Sequence, residues 1–476
     1  MSPASKSFPP VPDALRARNP LRYLKFYGPG AIIASVTIGS GETIFAARGG
    51  AIFGYALVWC LVLVSFLKAI QAYSGMRVVT LTGRHPVHYW ARMKGPRAWF
   101  PFLLGIVALV IMASTFSALP KALATLVMQL FDRGPALPDY ATQLNLVASA
   151  ILVVCALLAI RSTYRTLELG QMAVILLFLL FIVASFLALR PDLGTLVWNA
   201  LIVSFPEYPD WVRESYPAVA LRPPWVEAMT FIGLIGGNST DYMAYLSFLH
   251  DKQWGLAGRL TPSEEEEDFP PPETKEECAK GKLWLRAPLT DMLLSFSMVA
   301  MFSTIFLVLG ASILAPSRLV PHASELLTVQ ARFLTELHPR LAPLYILGIL
   351  TVFLGTIYGS FELQTRALYE CRRAVAARWT KASIRNVRRF VVVYGVASGL
   401  LLIWTRWDPV SLFTPAILLS VLASGWWCFA MLWVDRRFLP KPYRMPAPLA
   451  AGLLVAGFVL TAFGAVSVYE LLTQGS

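Results

Sequence analysis

Apolar runs of about 20 residues, the length that an α-helix needs to cross a bilayer, recur along this 476-residue chain. Hydrophobic residues make up 56% of the chain and charged residues only 14%, against about a quarter in soluble domains. The hydrocarbon region offers no water to backbone N–H and C=O groups, so each run is predicted to be helical. Eleven runs are predicted, near residues 28–50, 52–76, 98–119, 143–161, 166–189, 226–249, 288–314, 341–364, 388–405, 409–434 and 447–472. The predicted fold class is an all-α polytopic membrane protein.

The basic residues predict how these helices are oriented. With a cytoplasmic N-terminus, about 30 Lys and Arg residues fall in cytoplasmic segments and about 10 in external ones, as the positive-inside rule requires. Residues 1–27 are polar, proline-rich and basic, without the apolar segment of a signal peptide, and are predicted to form a disordered cytoplasmic tail. Orientation and contact with anionic lipid of the inner leaflet then explain the net charge of +13, and no nucleic-acid partner is needed. The expected location is the plasma (inner) membrane.

Two predicted spans are interrupted at mid-depth by glycines and polar residues. The first contains TIGSGETIF at 37–45, and the sixth contains FIGLIGGNSTDYMAYLSF at 231–248. An interrupted helix in lipid leaves N–H and C=O groups unsatisfied unless a polar cavity or a ligand takes them up. Paired interruptions at corresponding places in two halves indicate the binding site of a secondary transporter. The alternative is that the glycines serve only close helix packing.

The interruptions lie five spans apart, which predicts two five-helix repeats that are inverted in the membrane relative to each other. The first repeat is assigned to 28–189 and the second to 226–434, with an eleventh helix in 435–476. A long external loop, 190–225, separates the repeats. Residues 251–287 form an acidic cytoplasmic loop that is predicted to be a solvated linker.

The two interruptions supply the candidate site residues. If the interrupted helices cross, Glu42 and Asp241 form an oxygen-rich pocket, which suits a hard cation. The predicted metal ligands are Glu42, Asp241 and Asn238. The predicted substrate-binding residues are Gly39, Ser40, Gly41, Glu42, Gly237, Asn238, Ser239, Thr240, Asp241 and Tyr242.

Motifs at the start of the chain point to a known family. GPG at 28–30, FGYALVW at 53–59, Arg77 and TLTGR at 80–84 resemble, in order and spacing, the start of the Nramp family of divalent-metal transporters. The resemblance implies the LeuT-type fold, in which ten helices form two inverted repeats and the broken helices one and six surround the substrate.

The chain also departs from the pattern of the Nramp family. Residues 39–42 stand where the family has DPGN, and Thr240, Asp241 and Tyr242 stand where it has MPH. The metal-binding thioether and the histidine implicated in proton movement are therefore absent, and the third span carries no carboxylate. In some of these losses the chain is similar to the Nramp-related magnesium transporters. The resemblance thus implies an altered metal site, and neither manganese selectivity nor proton coupling is expected to carry over.

Three charged residues are candidates for coupling or gating. Lys68, in the second span, either snorkels to the cytoplasmic surface or is an internal cation that pairs with a site carboxylate in place of a coupling ion. Asp291 opens the seventh span. Glu362, near the inner end of the eighth, is four residues before Arg366, which favours an i,i+4 surface pair over a functional contact.

The leading functional prediction is a secondary transporter that moves a divalent cation of the Mg2+ or Mn2+ class by alternating access. The alternatives are a transporter of an organic cation, an amino acid or a monovalent ion on the same fold, and a membrane protein that does not transport. The sequence contains no GxxxxGK[ST] or HExxH motif, so no ATP, enzymatic activity or cofactor is predicted. The basic run at 372–389 is expected to contact anionic lipid.

Overall fold

The computed structural model describes residues 7–134, 136–161, 176, 180, 182–260, 270–321, 329–336, 338–375 and 383–474. Within these residues every regular element is helical. Eight continuous helical segments are long and apolar enough to cross a membrane, and two further spans are each divided at an interruption. The predicted fifth span, 166–189, lies largely outside the described residues. The other ten predicted spans are present, which confirms the all-α polytopic class.

Twelve helices form these ten spans. In chain order they are α1 (Pro29–Thr37), α2 (Ala47–Phe53), α3 (Val58–Thr82), α4 (Trp99–Leu130), α5 (Tyr140–Arg161), α6 (Pro224–Leu234), α7 (Ser239–Lys252), α8 (Arg286–Leu309), α9 (Ala342–Val375), α10 (Ile384–Ile403), α11 (Pro409–Phe438) and α12 (Ala447–Gln474). A π-helix, Ile38–Ala46, joins α1 to α2, and another, Gly310–Leu314, extends α8.

Shorter helices lie in the connections between the spans. The α-helical ones are Asp13–Arg16, Pro86–Trp90, Leu193–Leu201, Asp210–Ser215, Pro217–Ala220, Lys275–Trp284 and Arg332–Thr335. The 3-10 turns are Pro20–Phe26, Gly54–Leu57, Pro339–Leu341 and Lys441–Tyr443. Three of the α-helices fall in the external loop predicted at 190–225, which is therefore structured.

The interrupted spans lie at the centre of the helix packing. α8 packs along α1 and the π-helix, α9 packs against the same two elements, and α7 packs against α9. An ion pair also joins the two interrupted spans directly. Arg48 of α2 donates to the Glu227 carboxylate of α6 at 2.7 Å, with both side chains buried. The contacts thus bring the first and sixth spans together, as the crossing of the two interruptions requires.

The segment before α1 differs from the predicted disordered tail. Residues 7–27 contain the helix Asp13–Arg16 and the turn Pro20–Phe26, and Leu15 is fully buried. The Phe8 N–H donates to Glu277 at 2.6 Å, and Arg286 donates to the Leu15 carbonyl at 2.8 Å. The tail is ordered because its few apolar residues pack on the helix Lys275–Trp284.

The acidic loop at 251–287 is likewise not a solvated linker throughout. Its last part forms the helix Lys275–Trp284, on which the N-terminal segment packs, while residues 261–269 lie outside the described residues. In the basic run 372–389, residues 376–382 are also outside the described part of the chain. The predicted lipid contact of that run stays a prediction.

Candidate functional site

The sixth span is interrupted where two glycines adopt left-handed backbone conformations. α6 ends at Leu234, and Gly236 and Gly237 follow with φ of 75° and 87°, a region that residues with a Cβ adopt at a cost. α7 then begins at Ser239, with Asn238 as its N-cap. The last carbonyls of α6 and the first amides of α7 therefore both end inside the protein, where they need partners.

Asn238 and Asp241 form a reciprocal capping box at the start of α7. Asn238 Oδ1 accepts the N–H of Thr240 at 2.9 Å and that of Asp241 at 3.2 Å, and it also accepts the Thr240 hydroxyl at 2.5 Å. Asp241 Oδ2 accepts the Asn238 N–H at 2.9 Å. The Asn238 oxygen is thus committed to the cap, whereas a carboxylate has lone pairs beyond this one hydrogen bond. Of the two, Asp241 is the better candidate ligand for a cation.

A small cavity of about 30 Å³ lies beside this cap. That volume is enough for a single ion or one or two water molecules. Gln364 of α9 donates from Nε2 to Thr240 at 3.2 Å, and its Oε1 is buried without a hydrogen-bond partner among the described residues. The polar residues that line the cavity are Thr115, Asn238, Asp241, Ser360, Gln364 and Ser420.

The lining residues from α9 were not predicted, although the sequence carries a signal for them. Thr356, Ser360 and Gln364 are spaced four residues apart, so they form a polar stripe on one face of α9. Ser360 and Gln364 line the cavity, and Thr356 packs against the first span. A polar stripe at mid-depth in a membrane helix indicates that this face is turned inward.

The first span is interrupted differently, because its backbone widens into a π-helix instead of unwinding. π-helical turns frequently occur at functional sites. A Cβ at Gly39 would overlap with Thr356 Oγ1 of α9, and a Cβ at Gly237 would lie 3.7 Å from Thr37 Oγ1. The two interruptions therefore adjoin, and Gly39 permits the close approach to α9.

For Ser40, Gly41 and Glu42 the structure describes only the backbone, which belongs to the π-helix. The assignment of Glu42 as a metal ligand accordingly stays a prediction. Within the described side chains, no group of three His, Cys, Asp or Glu residues could hold a metal ion. Among the described side chains, the cavity offers a cation one carboxylate, that of Asp241, together with neutral oxygens.

The other residues predicted at the sixth span support the cap. Ser239 and Thr240 are fully buried, and the Ser239 N–H donates to Ser420 at 3.4 Å. Tyr242 is also fully buried, and its hydroxyl donates to the Gly236 carbonyl at 2.7 Å. Tyr242 thus satisfies a carbonyl that the interruption frees.

Lys68 does not snorkel to the cytoplasmic surface. It is the eleventh residue of α3, about 15 Å from the helix start, and only 1% of it is exposed. Its Nζ donates to the carbonyls of Gly233, Ile235 and Gly237 at 2.8, 2.5 and 2.9 Å. The ammonium is held at mid-depth because the interruption of the sixth span supplies three carbonyl acceptors there.

Asp291 joins three elements near the N-terminal end of the first span. Its Oδ1 accepts the Gly28 N–H at 2.8 Å, and its Oδ2 accepts the Gly30 N–H at 2.9 Å and the Tyr245 hydroxyl at 2.7 Å. The carboxylate of α8 therefore caps α1 and also holds α7. A negative charge is favourable at a helix N-terminus, where free N–H groups and the helix dipole are both positive.

Glu362 takes part in the predicted i,i+4 pair and in a wider ionic network. Its Oε1 accepts Arg366 Nε at 2.9 Å, and its Oε2 accepts Arg388 of α10 at 2.5 Å. Arg366 also pairs with Asp251 of α7 at 2.8 Å. Glu362 thus links α9 to α10, and through Arg366 the network reaches the end of α7.

Two interrupted spans that meet at one small polar cavity, within a bundle of membrane helices, are the architecture of a LeuT-type secondary transporter. Solved structures share this fold. An Eremococcus coleocola manganese transporter in complex with an aromatic bis-isothiourea substituted compound is 15% identical, with a TM-score of 0.67, 99% of this chain covered and 91% of that one. A histidine-to-alanine mutant of the manganese transporter from the same organism gives a TM-score of 0.68 at 15% identity, covering 99% and 90% of the two chains.

A more distant neighbour is MHP1, a nucleobase-cation-symport-1 family transporter in a closed conformation with bromovinylhydantoin bound. It is 14% identical, with a TM-score of 0.52 and 94% and 91% of the two chains covered. Among curated protein sequences, none is significantly similar to this chain. The family model for natural resistance-associated macrophage protein-like proteins matches residues 30–470. The chain therefore belongs to the Nramp family, whose members are metal-ion transporters in the membrane and not enzymes.

Proposed function

We propose that this protein transports a hard divalent cation, of the Mg2+ or Mn2+ class, through the cavity beside the cap of α7. The observation that carries the proposal is the size and lining of this cavity, about 30 Å³ with Asp241 and four hydroxyl- or amide-bearing neighbours from other helices. Oxygen ligands suit Mg2+ and Mn2+, whereas soft metals prefer thiolate or thioether sulfur.

The same volume argues against an organic substrate. Pockets for small organic ligands usually measure about 300–1,000 Å³, roughly ten times the size of this cavity or more. A monatomic ion that keeps a water ligand fits the available space, whereas an amino acid or an organic amine does not. Manganese belongs among the test ions because the similar solved structures include a manganese transporter.

Alternating access is the transport mechanism that we propose, with the N-terminus on the cytoplasmic side of the plasma (inner) membrane. The proposed ion lies where the two interruptions adjoin, so a movement of α1 and α7 against α9 would open the cavity to one side. We further propose that protons are not required. The sixth span has Asp241 and Tyr242 where the family places its Pro and His, and the third span, α4, contains no carboxylate.

The test is uptake of Mg2+, Mn2+ and Ca2+ into proteoliposomes that contain a pH-sensitive dye. Asp241→Asn and Glu42→Gln should each reduce saturable uptake by at least about 100-fold, since even second-shell partners of a metal site are worth about 10- to 100-fold. The dye should report no proton movement with the metal.

A matched control is Asp192→Asn, which removes an exposed carboxylate that caps the external helix Leu193–Leu201. This variant should transport like the wild type. Uptake that survives Asp241→Asn would place the ion elsewhere, and an absence of metal uptake by folded wild-type protein would refute the proposed function.

A further inference from the structure

The feature that the proposed function leaves unused is the ammonium group of Lys68. It comes from α3, outside both interrupted spans, yet it lies against the end of α6 with three carbonyl oxygens within 2.9 Å. Burying a charged lysine in a membrane is costly, and such residues mark ion pathways more often than packing. Replacement of a coupling ion by this lysine is one of the two possibilities that its sequence position leaves open.

The three carbonyl oxygens that accept from Lys68 are also suitable ligands for a free cation. Gly233, Ile235 and Gly237 surround the point where α6 ends, so their oxygens have lost helical partners and carry the negative end of the helix dipole. In transporters of this fold class, unwound carbonyls and half-helix C-terminal ends coordinate the coupling cation. Here a side chain of the protein fills that position.

The Lys68 site and the proposed metal site are neighbours. Gly233 lines the cavity and accepts from Lys68, and a Cβ at Gly237 would lie 3.2 Å from Asp241 Oδ2. Lys68 is also close enough to Asp241 for a direct electrostatic interaction. The charge of Lys68 offsets that of Asp241 in the empty site, whereas a bound dication adds two positive charges beside the ammonium.

From this arrangement we infer that Lys68 is a tethered counter-cation. This inference rests on the proposed function. The Lys68 ammonium donates to the carbonyls at the end of α6 when the metal site is empty, and it repels the metal ion when that ion binds. Such a group offsets the negative charge of Asp241 in the empty site without a bound Na+ or H+. Lys68 thus acts as a positioning and coupling residue that sets metal affinity and permits the empty transporter to return.

The experiment compares the purified wild type with Lys68→Met and Lys68→Gln, which remove the charge but keep most of the side-chain length. Metal affinity is measured by calorimetric titration of Mg2+ and Mn2+ into detergent-solubilised protein. Net uptake and metal–metal exchange are measured in proteoliposomes, with and without Na+. The control is Lys121→Met, because Lys121 is also a buried lysine that donates to two carbonyls, those of Thr405 and Trp407.

Both Lys68 variants should bind metal at least about tenfold more tightly, because a nearby like charge is removed. Net uptake should fall at least about tenfold while exchange persists, and added Na+ should restore part of the net uptake. Lys121→Met should change neither the affinity nor the ratio of net uptake to exchange, even if it lowers thermal stability.

Unchanged affinity together with an unchanged ratio in folded Lys68 variants would overturn the inference while leaving the proposed function intact. If the wild type binds no metal but a Lys68 variant does, the lysine competes as inferred and the proposed function of the wild type fails. If neither binds metal, both are overturned.

Discussion

Replacing Asp291 by asparagine should weaken the attachment of the N-terminus of α1 to α7 and α8. The carboxylate holds the N-terminus of α1 through Gly28 and Gly30 and holds α7 through Tyr245. Asparagine keeps one acceptor oxygen but presents an N–H group in place of the other. The tyrosine hydroxyl can rotate and accept, whereas one backbone N–H of α1 will be left facing a donor.

The size of this effect follows from the lost contact. Hydrogen bonds to a charged group contribute about 1.5–3 kcal/mol, and a buried unsatisfied N–H costs about 1–3 kcal/mol. A net weakening of about 2 kcal/mol would shift the equilibrium between attached and detached positions of the α1 N-terminus about 30-fold toward the detached one. A minor detached population in the wild type should then become readily measurable.

Spin-label distance measurements can detect the shift. One label replaces Leu21, which is 69% exposed in the segment before α1, and the other replaces Asn386 at the exposed start of α10, in a background without native cysteines. Asp291→Asn should add a second, longer distance. Asp435→Asn is the matched control, because this buried carboxylate of α11 also accepts a backbone N–H, that of Met445 at 2.9 Å. Identical distance distributions in both variants and the wild type would refute this role of Asp291 in holding α1, even if stability falls.

Two further predictions concern stability. Gly39→Ala should lower the free energy of unfolding by about 1–3 kcal/mol, because the added Cβ would overlap with Thr356. The control is Gly134→Ala, which should have no effect because a Cβ there would have no atom within 4 Å. Equal thermal unfolding of the two variants would contradict the close packing inferred at Gly39. Burial lowers the pKa of His85, in the loop after α3, to about 3, so the folded state keeps this ring neutral. Below the ordinary histidine pKa of about 6.5 the unfolded state binds a proton that the folded state does not. The free energy of unfolding is therefore at its full value well above pH 6.5, and the His85 contribution lowers it by about 1.4 kcal/mol at pH 5.5. Unfolding at about pH 7.5 and pH 5.5 measures the total loss, and His85→Gln should reduce that loss by about 1.4 kcal/mol; a loss of the same size in His85→Gln and the wild type would rule His85 out as a source.

The spans and their interruptions could be predicted because both depend on local composition. A run of apolar residues is a helix in lipid wherever it lies, and adjacent glycines beside Asp241 weaken a helix regardless of its neighbours. The same local signal could not show that the first interruption is a π-helix and the second an unwound segment. Both contain two glycines, and the difference arises from what packs against them.

The partners of Lys68 and Gln364 could not be predicted for a related reason. The acceptors of Lys68 lie at least 165 residues away in the sequence. The order of residues 7–27 was mispredicted because a proline-rich, basic composition predicts disorder only for an isolated segment. Its docking helix, Lys275–Trp284, belongs to a loop that was itself predicted to be a linker.

The N-terminal segment has a mechanical consequence. It runs directly into α1, and Phe8 packs against Tyr443, in the turn before α12, with 6.1 Å between ring centroids. α1 therefore cannot tilt away from the bundle independently of the chain that precedes it. Any such movement must either pull residues 7–26 along the surface on which they pack or detach them from it. The last helix, α12, is thereby linked mechanically to the first.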